Sequence, residues 1–151
     1  MIVTLVPHEA LPKVWAEVAP LIAKVVTRPE VFNTTVLDVY DWCLKGKFHL
    51  WIMVDEDTKK IKAAGVTTIS IHPGNRVLTV MFAGGSDVEL WLEKWMTILE
   101  KFAVDCDCAA LQICGREGGI RKLKKETKKD WCRGGVVIYL KLDAPVSIAA
   151  E

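Results

Sequence analysis

LTVMFAGGSDVELW, residues 78–91, decides the fold, because a strand-like apolar run enters a double glycine and leaves through a helix-start signal. Gly84 and Gly85 have no Cβ, so their backbone can take positive φ and approach a ligand closely. The helix that follows points its free N–H groups at the same place. The order of strand, tight turn and helix therefore predicts a backbone cradle for an anion.

The residues after the two glycines argue against such a cradle. Ser86 and Glu89 form an S-x-x-E pattern, which predicts a capping box whose side chains satisfy first-turn donors themselves. Asp87 and Glu89 also add negative charge where a phosphate needs positive potential. Two interpretations stay open for this turn: a diphosphate site, or an ordinary capped connection between a strand and a helix.

The composition limits both the size and the partners of the protein. The 151 residues, 51% of them hydrophobic, predict one domain over residues 1–143 and a loose tail over residues 144–151. Because 20 Lys and Arg nearly balance 19 Asp and Glu, the net charge of the protein gives no overall electrostatic attraction to nucleic acid or to an anionic membrane. No apolar run approaches the ~20 residues that span a bilayer, and no signal peptide is recognisable. We therefore expect a cytoplasmic protein.

Hydrophobic periodicity predicts ten elements in the order β, α, α, β, β, β, α, β, α, β. Pro20 is expected to kink or break the first helix, and Gly65 is a possible bulge in the third strand. An open mixed sheet, mostly antiparallel, with helices on both faces satisfies this order and places the chain in the α/β (α+β) class. The predicted strands are Ile2–Val6, Phe48–Val54, Ile61–Ile71, Val77–Phe82, Ala109–Cys114 and Val136–Leu142. The predicted helices begin near Leu11, after an N-cap at Asn33 or Thr34, after an N-cap at Ser86, and near Gly118.

The element order resembles that of the GNAT superfamily, the GCN5-related N-acetyltransferases, over nearly the whole chain. Two segments resemble the phage-encoded members of this superfamily: FHLWIMVDEDTKKIKAAGV (residues 48–66) and LQICGREGGIRKL (residues 111–123). The second segment is similar to a GR-x-G-(aromatic)-x-R-x-L pattern, with Gly119 where an aromatic residue is usual. The chain most resembles small GNAT-like proteins of tailed bacteriophages, including internal virion proteins. The resemblance implies a GNAT-like fold over residues 1–143.

In that superfamily a (Q/R)-x-x-G-x-(G/A) loop after the fourth strand binds the pyrophosphate of acetyl-CoA through backbone amides. This chain has Phe82, Ala83, Gly84, Gly85 and Ser86 at that place, without the basic residue and with a different glycine spacing. The resemblance thus implies acetyl-CoA as the cofactor and main-chain contacts at these five residues.

Acetyl transfer to an amine needs a base for the ammonium proton and an acid for the departing thiolate. Family members often take the acid from a tyrosine on the helix after the fifth strand and the base from a carboxylate near the central strands. This chain has neither residue in those segments. Glu117 is the remaining candidate base, with a solvated loop carboxylate as its alternative, and Cys114 is a candidate weak acid or nucleophile.

Two functions follow as alternatives. The first is acyl transfer from acetyl-CoA to an amine acceptor by a phage-type GNAT-like protein. The second is a catalytically degenerate protein of the same fold that serves in virion assembly or contacts phage or host proteins. We expect Trp51 and Trp131 to be partly exposed and to mark an interface in the second case.

The segment from Arg116 to Arg133 holds eight basic and three acidic residues. It could meet the 3′-phosphate of a coenzyme, a nucleic acid or an acidic protein, but a solvated helix face is favoured. Stacking aromatics, which single-strand binders need, are absent apart from Trp131. The five cysteines form no C-x-x-C pair and have no H-x-x-x-H partner, so we predict no metal site.

Overall fold

The computed structural model describes residues 1–26, 34–115, 117–135 and 140. The strands are β1 (Ile2–Leu5), β2 (His49–Val54), β3 (Ile61–His72), β4 (Asn75–Gly85) and β5 (Ala110–Ile113). The helices are α1 (Leu11–Val26), α2 (Val36–Leu44), α3 (Val88–Asp105) and α4 (Glu117–Thr127). The nine predicted elements up to α4 are thus confirmed in type and order. The tenth, the predicted strand over residues 136–142, and the predicted tail lie, apart from Leu140, outside the described residues.

The described strands form a sheet in the order β1-β2-β3-β4-β5, in which β4 and β5 are parallel and the other neighbours antiparallel. The side chains of β2 alternate between the two faces, as the sequence predicts. Leu50 and Ile52 pack with α1 and α2, whereas Trp51 and Met53 pack with α3. The predicted fold class, a mostly antiparallel mixed sheet with helices on both faces, is therefore confirmed.

Three local predictions are wrong. First, the predicted break at Pro20 does not occur: α1 runs as one helix from Leu11 to Val26, because Val18 and Ile22 are fully buried on either side of Pro20 and tertiary packing offsets the lost hydrogen bond. Second, Trp51 is buried rather than partly exposed, and its Nε1 donates to Thr67 Oγ1 at 2.9 Å. Third, Gly65 pairs in regular register and forms no bulge.

Position 65 requires glycine because of a neighbouring side chain and not because of its own backbone conformation. A Cβ at Gly65 would overlap the six-membered ring of Trp95, which lies directly on β3. Trp95 is 1% exposed and belongs to the core between α3 and the sheet. Gly65 therefore lets α3 approach the sheet closely.

Candidate functional site

A wedge opens where β4 and β5 part. The two strands pair as far as Val80 and Ile113, and beyond this point β4 continues to Gly85 with β3 as its only partner among the described strands. Met81 is an extra residue in β4, since Val80 and Phe82 pair with adjacent residues of β3. Such a bulge bends its strand. The bulge thus lies at the point of divergence.

A cavity of about 880 Å³ occupies this wedge. Residues from both faces of the sheet line it, because α1 contributes from one side and α3 and α4 from the other. Most of these side chains are apolar. The described lining residues are Val25, Val26, Thr34, Val80, Met81, Phe82, Ala83, Val88, Trp91, Leu92, Trp95, Met96, Ile113, Cys114, Gly115, Gly119, Ile120, Lys122 and Leu123.

Gly84 and Gly85, which the sequence suggests as a cradle, are the last residues of β4 and pack against other backbone. A Cβ on Gly84 would lie 2.7 Å from the carbonyl oxygen of Leu21 in α1. Gly85 has a φ of +142°, and a Cβ there would overlap Ala63 and the carbonyl of Lys62. Close packing against α1 and β3 is therefore sufficient to require both glycines.

The predicted capping box of Ser86 and Glu89 is wrong. Asp87 is the N-cap residue of α3, with a φ of +57° and no side-chain hydrogen bond to the first turn. Ser86 extends the sheet instead: its N–H donates to Lys62 O at 3.0 Å, and its carbonyl accepts from Trp91 Nε1 at 2.8 Å. The side chain of the N-cap residue therefore leaves the first-turn N–H groups of α3 uncapped. An anion site at this end of the helix requires such uncapped N–H groups.

Lys122 supplies a positive charge near this turn. It lies on α4, lines the cavity, and places its Nζ 3.9 Å from Glu89 Oε2 in the first turn of α3. The sequence shows Lys122 as one of many basic residues in its segment. Its neighbour Leu123 is apolar in a basic helix and is buried in the structure. This one apolar residue indicates which side of α4 packs against the protein, and it could have distinguished Lys122 from the other basic residues.

No protein-family model and no curated protein matches the sequence. Solved structures do match its fold. An aminoglycoside acetyltransferase from an uncultured soil metagenomic sample, solved with sisomicin, has a TM-score of 0.70 at 11% identity over 94% of this chain and 96% of its own. A GNAT family acetyltransferase from Staphylococcus aureus has a TM-score of 0.60 at 12% identity over 92% and 98%. The chain has the GNAT fold.

A third structure extends this result. The ribosomal-protein-alanine N-acetyltransferase from Brucella melitensis superposes with a TM-score of 0.64 at 12% identity, over 93% of this chain and all of its own. In all three cases nearly the whole length of both chains takes part. The likeness therefore extends over nearly the whole of this chain and not over one part of it.

Within this GNAT fold, the two candidate catalytic residues differ in position. Cys114 is exposed, lines the cavity at the end of β5, and has Gln112 Nε2 3.6 Å from its Sγ. Glu117 begins α4, is exposed, and accepts a hydrogen bond from Arg133 at 2.6 Å. Glu117 is not among the described lining residues. The structure thus brings Cys114 to the wedge and leaves Glu117 beside it in an ion pair.

The sequence did not suggest that α3 forms the floor of the cavity. Trp91, Trp95 and Met96 are all buried, and all line it. The indole N–H of Trp91 is used by the turn before α3, whereas Trp95 Nε1 is buried without a partner among the described residues. Helical periodicity identifies such residues as core, and the divergence of β4 and β5 brings part of that core to the edge of the cavity.

The described residues contain no helix that is both long enough and apolar enough to cross a bilayer. Within the same residues, no group of three or more His, Cys, Asp or Glu side chains is placed to hold a metal ion.

Proposed function

We propose that this protein binds acetyl-CoA in the wedge between β4 and β5 and transfers the acyl group to an amine. The observation that carries the proposal is the divergence of this parallel pair at Met81, with a cavity of about 880 Å³ at that point. Structures of the same fold include acetyltransferases whose names give an aminoglycoside or a ribosomal-protein alanine as the acceptor. These names support an amine as the acceptor class.

The pantetheine arm fits the free edge of β4. Beyond Val80 this edge has no strand partner among the described residues, so its N–H and C=O groups are available to an extended ligand. Pantetheine is extended and carries amide groups that can pair with a strand edge. Phe82 and Ala83 line the cavity here and are the proposed main-chain contacts.

The pyrophosphate belongs at the start of α3. Gly84 and Gly85 bring the chain to this turn, although the N–H of Ser86 is bonded to Lys62 O and its hydroxyl donates to Asp87 Oδ2 at 3.3 Å. A phosphate contact by Ser86 therefore requires its hydroxyl to turn away from Asp87. The first-turn amides of α3 and the ammonium group of Lys122 supply the positive potential. Because the contact of Lys122 with Glu89 is long and exposed, it costs little to break.

The reaction moves one proton from the amine and gives one to the thiolate. The neutral amine attacks the thioester carbonyl, the C–S bond breaks, and the sulfur of CoA takes a proton. Cys114 is the proposed proton donor, since its thiol lines the cavity at the end of β5. Glu117 is the proposed base, and to act as one it must leave its ion pair with Arg133.

A second candidate is a protein that binds CoA without turnover. The described cavity wall contains no carboxylate, histidine or tyrosine, which favours this alternative. The virion-assembly role and the phage or host partners implied by the sequence resemblance belong to it. No contact among the described residues argues for those partners in particular.

Calorimetry with CoA and acetyl-CoA tests the proposal. We expect micromolar binding, and we expect Lys122→Gln to weaken it about tenfold through loss of a charge-assisted hydrogen bond. Lys101→Gln is the matched control, because Lys101 pairs with Asp105 near the other end of α3 and should leave affinity unchanged. No heat at millimolar ligand would contradict the proposal.

Turnover separates the two candidates. Release of free CoA thiol is measured with a panel of primary amines, for the wild type and for Cys114→Ser. Thiol release that falls in the variant supports catalysis with Cys114 as the acid. Tight CoA binding without any thiol release supports the second candidate.

A further inference from the structure

The outward face of α4 is basic. Arg121, Lys124 and Lys125 are at positions i, i+3 and i+4, which share one face of a helix. Lys128 is the first residue after the end of the helix. All four residues are exposed, whereas Leu123 on the opposite side of α4 is buried. We refer to the four exposed cations as the basic stripe.

The basic stripe has no acidic partner in the described part of the chain, since no carboxylate there lies within ion-pair distance of its four charges. Two neighbouring cations are paired instead: Lys122 with Glu89, and Lys129 with Glu100. Both acids belong to α3, so these two pairs attach α4 to the rest of the protein. The charge of the stripe is therefore available to a partner.

Two features favour a protein over a nucleic acid as that partner. Proteins that bind single strands stack bases on aromatic rings as well as pairing with phosphates, and the stripe itself has no aromatic residue. Trp131, the aromatic residue that follows it, is half-buried, and its Nε1 is bonded to Thr127. The proposed reaction also consumes an aliphatic amine, which proteins carry at lysines and N-termini and which the common nucleobases lack.

We infer that the basic stripe docks an acidic segment of a protein partner. The complementary charge is what recognises this segment, because the stripe offers guanidinium and ammonium groups with no competing carboxylate. The choice of a protein rests on the proposed function, since it follows in part from the amine acceptor. The stripe faces away from the wedge, because Gly119, Lys122 and Leu123 on the other side of α4 line the cavity. It is a docking surface and not part of the reacting site.

Fluorescence anisotropy on the full chain with two labelled peptides tests this inference. One peptide is helical with four Glu residues on one face, and the other has Gln at the same four positions. Because each exposed ion pair is weak, we expect the four together to make the Glu peptide bind about tenfold more tightly than the Gln peptide at about 0.1 M salt. At about 1 M salt, screening should remove most of this difference.

A matched pair of double variants locates the binding surface. Lys124→Gln with Lys125→Gln should weaken the Glu peptide about threefold and leave the Gln peptide unchanged. Lys59→Gln with Lys60→Gln removes the same charge at two adjacent exposed residues of the turn before β3, and should have no effect. Because cations also favour the C-terminal end of a helix, circular dichroism checks that α4 is retained. Arg121→Gln, in the second turn of α4, is the second variant and should weaken the Glu peptide about twofold.

The outcomes are separate from those of the proposed function, because the titrations need neither CoA nor turnover. Equal affinity for the two peptides overturns the inference and leaves acyl transfer intact. A preference for the Glu peptide that persists unchanged in both α4 variants also overturns it. A single-stranded oligonucleotide that binds more tightly than the Glu peptide, and is weakened by the same variants, would assign the stripe to nucleic acid and overturn the inference as well.

Discussion

At the residue scale, neighbouring atoms explain why two positions of this chain must be glycine. Gly84 faces the carbonyl of Leu21, and Gly65 faces the ring of Trp95. In both cases a neighbouring element occupies the space that a side chain would need. A glycine in the sequence suggests conformational freedom, whereas these two glycines provide room for packing.

Gly65→Ala should destabilise the fold by about 1–3 kcal/mol, because the new methyl must displace Trp95 from a filled core. Trp95→Phe removes the ring that would be displaced. In urea denaturation the double variant should therefore be more stable than the sum of the two single effects predicts, by at least about 1 kcal/mol. Gly134→Ala is the control, since a Cβ there meets nothing within 4 Å. Strict additivity of the two substitutions would contradict the packing account.

At the element scale, α4 depends on its surroundings more than on its own sequence. Its first turn contains Gly118 and Gly119, and most of its side chains are exposed. Two contacts beyond its C-terminus anchor it: Lys129 pairs with Glu100 of α3 at 2.7 Å, and Trp131 Nε1 donates to Thr127 Oγ1 at 2.9 Å. Helical propensity alone would not hold such a segment over the wedge.

Gly118→Ala should stabilise the protein by about 0.4–1 kcal/mol, because alanine restricts the unfolded chain and the added Cβ meets nothing within 4 Å. The urea midpoint measures this effect. Gly74→Ala is the contrast: its surroundings are equally open, but its φ of +76° disfavours any side chain, so the sign should reverse. A Gly118→Ala variant less stable than the wild type would show that the start of α4 is not helical in solution.

At the scale of the whole molecule, the five free cysteines report which regions exclude solvent. Cys114 and Cys132 are exposed, Cys106 and Cys108 are half-buried, and Cys43 is buried between α2 and the sheet. Alkylation at neutral pH should modify the exposed pair first. Cys43 should react only when the whole chain unfolds, as followed by mass spectrometry over a denaturant series. Early labelling of Cys43 would contradict the packing of α2.

The same thiol sets a direction for the pH dependence of stability. Burial raises the pKa of Cys43 from 9.0 to about 11. Between these pH values the folded state keeps a proton on Cys43 that the unfolded state has lost. The stability that Cys43 contributes is therefore fully present below pH 9 and is lost as the pH rises towards 11. The Cys43→Ala variant should lose less stability over this range.

Part of the fold and part of the site followed from local sequence. The alternation in β2, the long apolar stripe of α3 and the order of elements depend on residue spacing, which backbone geometry converts directly into faces of strands and helices. The same reasoning located the turn after β4, as well as Cys114 at the end of β5. These features need no information about distant residues.

By itself, then, the sequence determined the elements, their order and the two apolar faces of the sheet, because each depends on neighbours within a few positions. Only the tertiary structure decided how β4 bends at Met81, which backbone fills the space beside Gly84, and where Lys122 meets the start of α3. Each of these depends on contact between segments far apart in the chain. No local sequence pattern encodes such contacts between distant segments, and the wedge exists only because of these contacts.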